Sequence, residues 1–397
     1  MKLSAASDLK ISFVLPVWGA KYARLWRDVV GPSHLWSDNI PGACGNRPGR
    51  FFLFVDQAAR TELMDSSLLK RLSSILKVEI YDISTELQAF DDPFAVELRC
   101  HQKAIRAIED AGDEALIILN PDAIWADGSF LTAAKRLREG YCAVMAPSVR
   151  VVDSDLLDSL RTEDVNFPQE PVSPQTLVTK ALRHLHAMSR ALFSRAPVYQ
   201  EWAGHMYWWA GKRAVLTRQY FFHILGLRPQ VTGIVPQVSY DYDWFPKAIP
   251  DKETHYFIVD SDEGFCASLT ESQSNWCPNL VNRSQDLVLW DKADWVVRHA
   301  LPFHFDFFEK EVLLHGCRVP RLSGTKRQMR DDVMVLRNFI EARRSGVALP
   351  KSLKLARFLQ RPERVIDFIP IQLHWGLRGR VQRIFEKSRQ KQFRGEV

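Results

Sequence analysis

The residues best equipped for chemistry in this chain are carboxylates that follow short apolar runs. Asp122 follows the apolar run that opens LIILNPDAIWADG, Asp56 follows FFLFV, and Asp260-Ser261-Asp262-Glu263 follows the run Tyr256 to Val259. A carboxylate at such a point can hold a divalent cation or accept a hydrogen bond from a sugar hydroxyl; it can also simply bond its own turn. Asp241 and Asp243 sit in YDYDW, where flanking rings would exclude water and raise the proton affinity of an acid, as a general base requires. His315, in LLHGCR, adds an imidazole after another apolar run.

These groups need a scaffold. Ile11–Leu15, Phe51–Val55, Val78–Tyr81, Ala115–Leu119 and Ala143–Ala146 are short runs without polar alternation, which predicts strands covered on both faces. Between them lie helical patterns, such as Leu63, Leu68, Leu72 and Leu76, or Val96, Ala104, Ile105 and Ile108. Strands alternating with helices over residues 1–150 predict βαβ units and a mostly parallel α/β sheet flanked by helices. Ligands of such sheets bind beyond the carboxyl ends of the strands, which is where Asp56 and Asp122 would stand.

The segments FVLPVWG, FFLFVD and, about 65 residues further on, LNPDAIWADGSF together resemble the nucleotide-sugar-binding half of bacterial GT-A fold glycosyltransferases, in particular those with a strand–(T/S/N)PD–x₄–DGS segment. The resemblance covers residues 8–150 and continues more loosely through YDYDWFPKAIP, HYFIVDSDEGF and VLLHGCR. It implies a Rossmann-like GT-A fold. Residues 1–150 would form a nucleotide-sugar-binding half, 151–318 an acceptor-binding half and 319–397 a mainly helical, basic C-terminal region. It further implies that Pro16, Val17 and Trp18 cup the nucleoside with Asp56, while Asn120, Pro121 and Asp122 meet diphosphate, metal and donor sugar. His315 would be an extra metal ligand beside Asp122. The motif departs from D-x-D in offering one carboxylate. One Asp suffices for Mg²⁺ or Mn²⁺ when substrate phosphates complete the shell, or Asn120 bonds a hydroxyl instead.

Other enzyme classes lack their residues. There is no G-x-x-x-x-G-K-[ST], no G-x-G-x-x-G after the first run and no G-x-S-x-G. A chain of 397 residues, 46% hydrophobic, can bury a large core. Six cysteines without a C-x-x-C pair predict buried thiols, and the absence of an apolar leader or a span of roughly 20 apolar residues predicts a cytoplasmic protein. Residues 151–175 are polar and proline-bearing and predict a loop, after which Leu177, Ala181, Leu185, Met188 and Leu192 predict one helix with His184 and His186 on its wet side. Trp208 and Trp209, in an aromatic-rich segment, are candidate stacking platforms for an acceptor sugar.

The charge is concentrated at one end. Residues 351–397 carry 12 Lys and Arg against 4 Asp and Glu, so the formal +6 of the chain comes from there. Leu373, Leu377, Val381, Ile384 and Phe385 share one helical face, with basic residues around them and Trp375 near the start. Such a helix suits either an anionic membrane surface or docking on the body; nucleic acid is disfavoured because the charge is terminal.

The expectation is therefore a glycosyltransferase. It would move a sugar from a nucleoside diphosphate to a glycan or lipid-linked acceptor at the cytoplasmic membrane face. Asp243 is the preferred base, with Asp241, Asp262 and Glu263 as alternatives. The competing expectation is a catalytically silent, glycosyltransferase-like, membrane-associated interaction protein.

Overall fold

Apolar runs with no polar side must be covered above and below, and the chain meets that demand with one large sheet between helices. A computed structural model describes residues 8–90, 92–161, 170–194, 196, 198–199, 204–235, 240–272, 281–282, 285–316 and 321–347. Its strands are β1 Lys10–Val17, β2 Pro48–Val55, β3 Lys77–Asp82, β4 Glu114–Ile118, β5 Ala123–Trp125, β6 Ala143–Ala146, β7 Ser148–Val152, β8 Val198–Tyr199, β9 His205–Trp209, β10 Ala214–Gln219, β11 His223–Leu227, β12 His255–Phe257, β13 Cys266–Thr270, β14 Val281–Asn282 and β15 Val312–His315.

Seven of these form the main sheet, in the order β12-β6-β11-β4-β1-β2-β3. The pairs β1–β2, β2–β3, β1–β4 and β6–β12 are parallel, and only β11 runs against its neighbours β4 and β6. The architecture is thus α/β with a mixed, mostly parallel sheet, as the runs predict. From β1 the chain builds outward through β2 and β3, then returns to place β4 on the other side of β1. This reversal of strand order is the point at which a sheet of this kind is expected to place a ligand crevice, at the carboxyl edge.

Each of the five predicted strands is present, with two differences. β1 continues through Pro16 to Val17, because β4 pairs with β1 only as far as Val14 and leaves the proline no missing ladder bond on that side. β3 is an edge strand with a half-exposed surface rather than a buried one. The helical patterns are also more broken than their spacing suggests. Asp56 and Ser66 each cap a separate helix, Gln57–Leu63 and Ser67–Ser73. The stripe from Leu177 to Leu192 splits into helices Pro174–Arg183 and Ala187–Arg190; His186 is buried and caps the second, so it is not a surface histidine. The polar stretch after residue 150 begins with β7 and helix Asp153–Leu160 rather than with a loop.

Two smaller sheets, β5-β13-β7 and β15-β10-β9, extend the fold. A second core packs Met206, Trp208, Leu216 and Tyr220 against Trp295 and Val296 of helix Gln285–His299 and against Met329, Val333 and Leu336 of helix Ser323–Arg344. The expected boundary at residue 150 does not separate two sheets, since β11 and β12 are inserted into the first. The four described cysteines, Cys44, Cys100, Cys142 and Cys266, are free and buried. Among the described residues no helix is long and apolar enough to cross a membrane. The basic region 351–397 lies outside the described residues.

At the amino edge one buried carboxylate ties the three central strands. Glu114 of β4 accepts from Ser12 Oγ of β1 at 2.6 Å and from Arg50 Nε and Nη2 of β2 at 3.1 Å each, while the Arg50 N–H donates to Ser12 Oγ at 2.8 Å. Glu114 is 7% exposed, and its loss leaves the half-buried Arg50 cation only the longer pairing with Glu79 at 4.0 Å. Glu114→Ala should lower the unfolding free energy by about 3 kcal/mol, the usual cost of breaking such a pair. Urea denaturation checks this; a midpoint equal to wild type would show that the strands are held without it.

Candidate functional site

The carboxyl edge opposite that network collects most of the polar groups singled out above. Pro16 and Val17 are buried strand residues, so of the three only Trp18, half-buried just past the end of β1 and packed against the core, keeps part of its surface open. Gly19 follows with φ +73°, a left-handed turn that glycine adopts without strain. Its N–H donates to Asp56 Oδ1 at 3.1 Å, and the same oxygen accepts from Ala59 N at 2.8 Å. One carboxylate oxygen thus caps a helix and fixes the loop after β1.

Beyond β4, Asn120 holds its Oδ1 buried with no hydrogen-bond partner in the protein, leaving an acceptor open to water or a ligand. Asp122 is anchored by its backbone, whose carbonyl accepts from Leu269 N of β13 at 2.7 Å. Burial pushes the Asp122 carboxyl above its ordinary range, and the Arg150 guanidinium pulls it only part of the way back. Arg150 projects from β7 and is exposed; its Nη1 donates to Thr270 Oγ1 at 3.4 Å, and it has no carboxylate within ion-pair distance among the described residues. A cation and a carboxylate therefore face each other across this part of the edge.

A second group stands where β12, parallel to β6 and so to β4, delivers its own carboxyl end. Ligand atoms of Asp260, Asp262 and His315 all lie within 4.8 Å of one another. His315 Nε2 is 2.9 Å from Asp260 Oδ1 and 3.7 Å from Asp262 Oδ2. The imidazole is buried while both acids stay near half-exposed, leaving the cluster open to solvent on one side. Ser261 is the rivet: its N–H donates to the Leu313 carbonyl at 2.9 Å and its Oγ accepts from His315 N at 3.0 Å. Asp260 Oδ1 accepts from Asp262 N at 2.9 Å, and Gln175 Nε2 donates to Asp262 Oδ2 at 3.2 Å. One imidazole nitrogen and two carboxylates on a fixed frame can hold a divalent metal ion. Among the described residues no other group of three meets that test, and Asp122 is outside it.

The remaining candidates distribute as follows. Glu263 turns away to Tyr256 Oη at 2.6 Å and Arg136 at 3.3 Å. Asp241 and Asp243 belong to a π-helical turn, Tyr240–Trp244, with side chains outside the described part. Trp208 is 1% exposed and donates to Asp332 at 2.7 Å, so its enclosed ring offers no face to a sugar; strand alternation puts only its neighbour outward. Trp209 is that neighbour, 47% exposed and stacked on Phe193 at 4.5 Å between centroids.

One residue of this edge, and one grouping of residues already named, escaped the sequence reading. Arg150 was detectable as a lone charge inside the apolar run SVRVV. The metal-capable set was detectable too: Asp260-Ser261-Asp262 has the D-x-D spacing that Asn-Pro-Asp lacks, though its pairing with His315 depends on β15. No protein-family model matches the chain, and no curated protein matches it at a significant level.

The upward shift of Asp122 has a sign that can be tested. Folding favours its neutral acid, so the penalty is absent below the ordinary value of 3.8, builds as pH rises toward the folded pKa, and is complete above it. Asp122→Asn should therefore be more stable than wild type at neutral pH, with the gap closing on acidification. Thermal melts across pH check this; a variant less stable at every pH would show that the carboxylate serves the fold.

Proposed function

We propose that the protein is a GT-A-type glycosyltransferase that uses a nucleoside diphosphate sugar. The observation that carries the reading is the reversal of strand order between β1 and β4, with Asp56 just after β2 and Asn120 and Asp122 just after β4 at the same edge, where such sheets bind ligands. An unpaired buried amide oxygen and a carboxylate held above its ordinary pKa both suit donor hydroxyls better than they suit the empty fold. Arg150 would bond diphosphate oxygens through charge-assisted contacts.

Asp260, Asp262 and His315 would hold a divalent cation. Because one donor is an imidazole, Mn²⁺ suits the set better than Mg²⁺, which prefers oxygen ligands. The cation would neutralise charge on a departing diphosphate. Asp243 would take the acceptor proton, an assignment that rests on its sequence setting. Trp209 is the remaining platform for an acceptor sugar, and the basic region 351–397 would bring the enzyme to an anionic cytoplasmic membrane face, where a lipid-linked or glycan acceptor is presented.

Differential scanning fluorimetry with nucleoside diphosphates tests the donor site. One nucleotide should raise the melting temperature in the presence of Mn²⁺, reaching about 2.7 kcal/mol of added stability at a hundredfold excess over Kd. Asp122→Ala should abolish the response relative to its own ligand-free melt, and His315→Ala should abolish its Mn²⁺ dependence. Wild-type protein that responds to no nucleoside diphosphate, with or without metal, would remove the reading.

A further inference from the structure

The acids on this edge are matched by an excess of the opposite charge a short way off. Helix Pro174–Arg183 and the turn before β10 line a cleft of about 440 Å³ with Lys180, Arg183 and Arg213, together with His184, Ser173 and Thr176. None of its lining residues is acidic, and none of the three permanent cations forms an ion pair with a carboxylate among the described residues. Lys180 donates to the Ser159 carbonyl, which fixes its position without neutralising it. Burial and the neighbouring Arg183 both lower the Lys180 pKa, the direction expected of a cation that lacks a counter-charge. Arg183 and Arg213 are exposed and free to turn toward a ligand.

The cleft is shaped by close packing as well as by charge. Gly316 forms one wall against Thr179, whose Oγ1 donates to the Gly316 carbonyl at 3.0 Å, and a Cβ on Gly316 would lie 1.8 Å from that oxygen. Gly316 directly follows His315, and Gln175, another wall residue, donates to Asp262. The basic cleft and the acid–histidine cluster therefore share walls while having opposite charge. The volume falls within the range of small-ligand sites, and its lining of hydroxyls and guanidinium groups is that of an oxyanion site.

We propose that this cleft binds a phosphate or diphosphate group, as a second anion site distinct from the crevice at β1 and β4. The proposal goes beyond the sugar-transfer reading and does not need it: a phosphate-bearing ligand could be recognised here by a protein of any activity. If the sugar-transfer reading holds, the cleft takes the phosphate of the acceptor, next to the cation-capable cluster. The same chemistry is offered by a soluble phosphate ester and by a lipid phosphate headgroup.

The test uses the full chain in EDTA, so that no divalent cation contributes, with Asp122 intact. Inorganic pyrophosphate is titrated calorimetrically, and vesicles of phosphatidylcholine with or without phosphatidic acid are sedimented with the protein. The variant is Arg183→Gln with Arg213→Gln, two exposed positions; Arg47→Gln with Arg161→Gln, exposed arginines paired with Asp8 and Asp158, is the charge-matched control. Pyrophosphate affinity should fall about tenfold or more in the double variant and stay unchanged in the control, as expected for lost hydrogen bonds to a charged group. If pyrophosphate fails but phosphatidic acid vesicles bind wild type and control more tightly than the double variant, beyond the binding that the basic region 351–397 gives all three alike, the ligand is a lipid headgroup and the site stands. Equal behaviour of wild type and double variant toward both probes overturns it, with melting curves showing that the variant is folded. Loss of nucleotide binding by Asp122→Ala is a separate result, so either idea can fail alone.

Discussion

A strand covered on both faces has room for charge only at its ends, and β1 and β4 impose that condition on the whole molecule. Ile11, Phe13, Val14 and Leu15 of β1, and Leu116, Ile117 and Ile118 of β4, have no exposed surface. Polar groups in this part of the sheet are driven to its two edges. At the amino edge they are satisfied in full, in the Ser12–Arg50–Glu114 network that locks the register of three strands. At the carboxyl edge they are left partly unsatisfied, with Asn120 Oδ1 unpaired and the Asp122 carboxyl disfavoured as an anion. One edge serves the fold, and the other carries the cost of staying open to a ligand.

What could be read from the chain in advance follows the range of the forces involved. The five runs of the first half declared themselves as strands because continuous apolarity over a few residues needs no distant partner to interpret. Asp56 and Asp122 could be singled out for the same reason, as the first carboxylates after those runs. The antiparallel insertion of β11 between β4 and β6 was not legible, because it depends on pairing with strands more than 75 residues earlier in the chain. The union of His315 with Asp260 and Asp262 likewise depends on β15 lying beside the loop after β12, riveted by Ser261. Trp208 and Trp209 could not be told apart until the direction of β9 was known; strand alternation then buried one ring and exposed the other. The side chains of Asp241 and Asp243 lie outside the described residues, so the base rests on its sequence setting.

Charge then organises the carboxyl edge into distinct parts. Asp122 feels the charge of Arg150, whose guanidinium forms no ion pair among the described residues. Asp260 and Asp262 converge on a buried imidazole. Lys180, Arg183 and Arg213 form a basic wall next to that cluster, joined to it by Gln175 and Gly316. Alternating acid, base and acid along one edge suits a ligand that carries hydroxyls and phosphates together.

The most direct test of sugar transfer is donor turnover rather than binding. Purified full-length protein should be incubated with a panel of nucleoside diphosphate sugars and Mn²⁺, and the released nucleoside diphosphate quantified by chromatography. The account predicts slow hydrolysis of one donor, dependent on divalent metal, because water can replace the missing acceptor in a site built for transfer. Release that is indistinguishable from a protein-free control for every donor, with and without metal and with membrane extract supplied as acceptor, would contradict it.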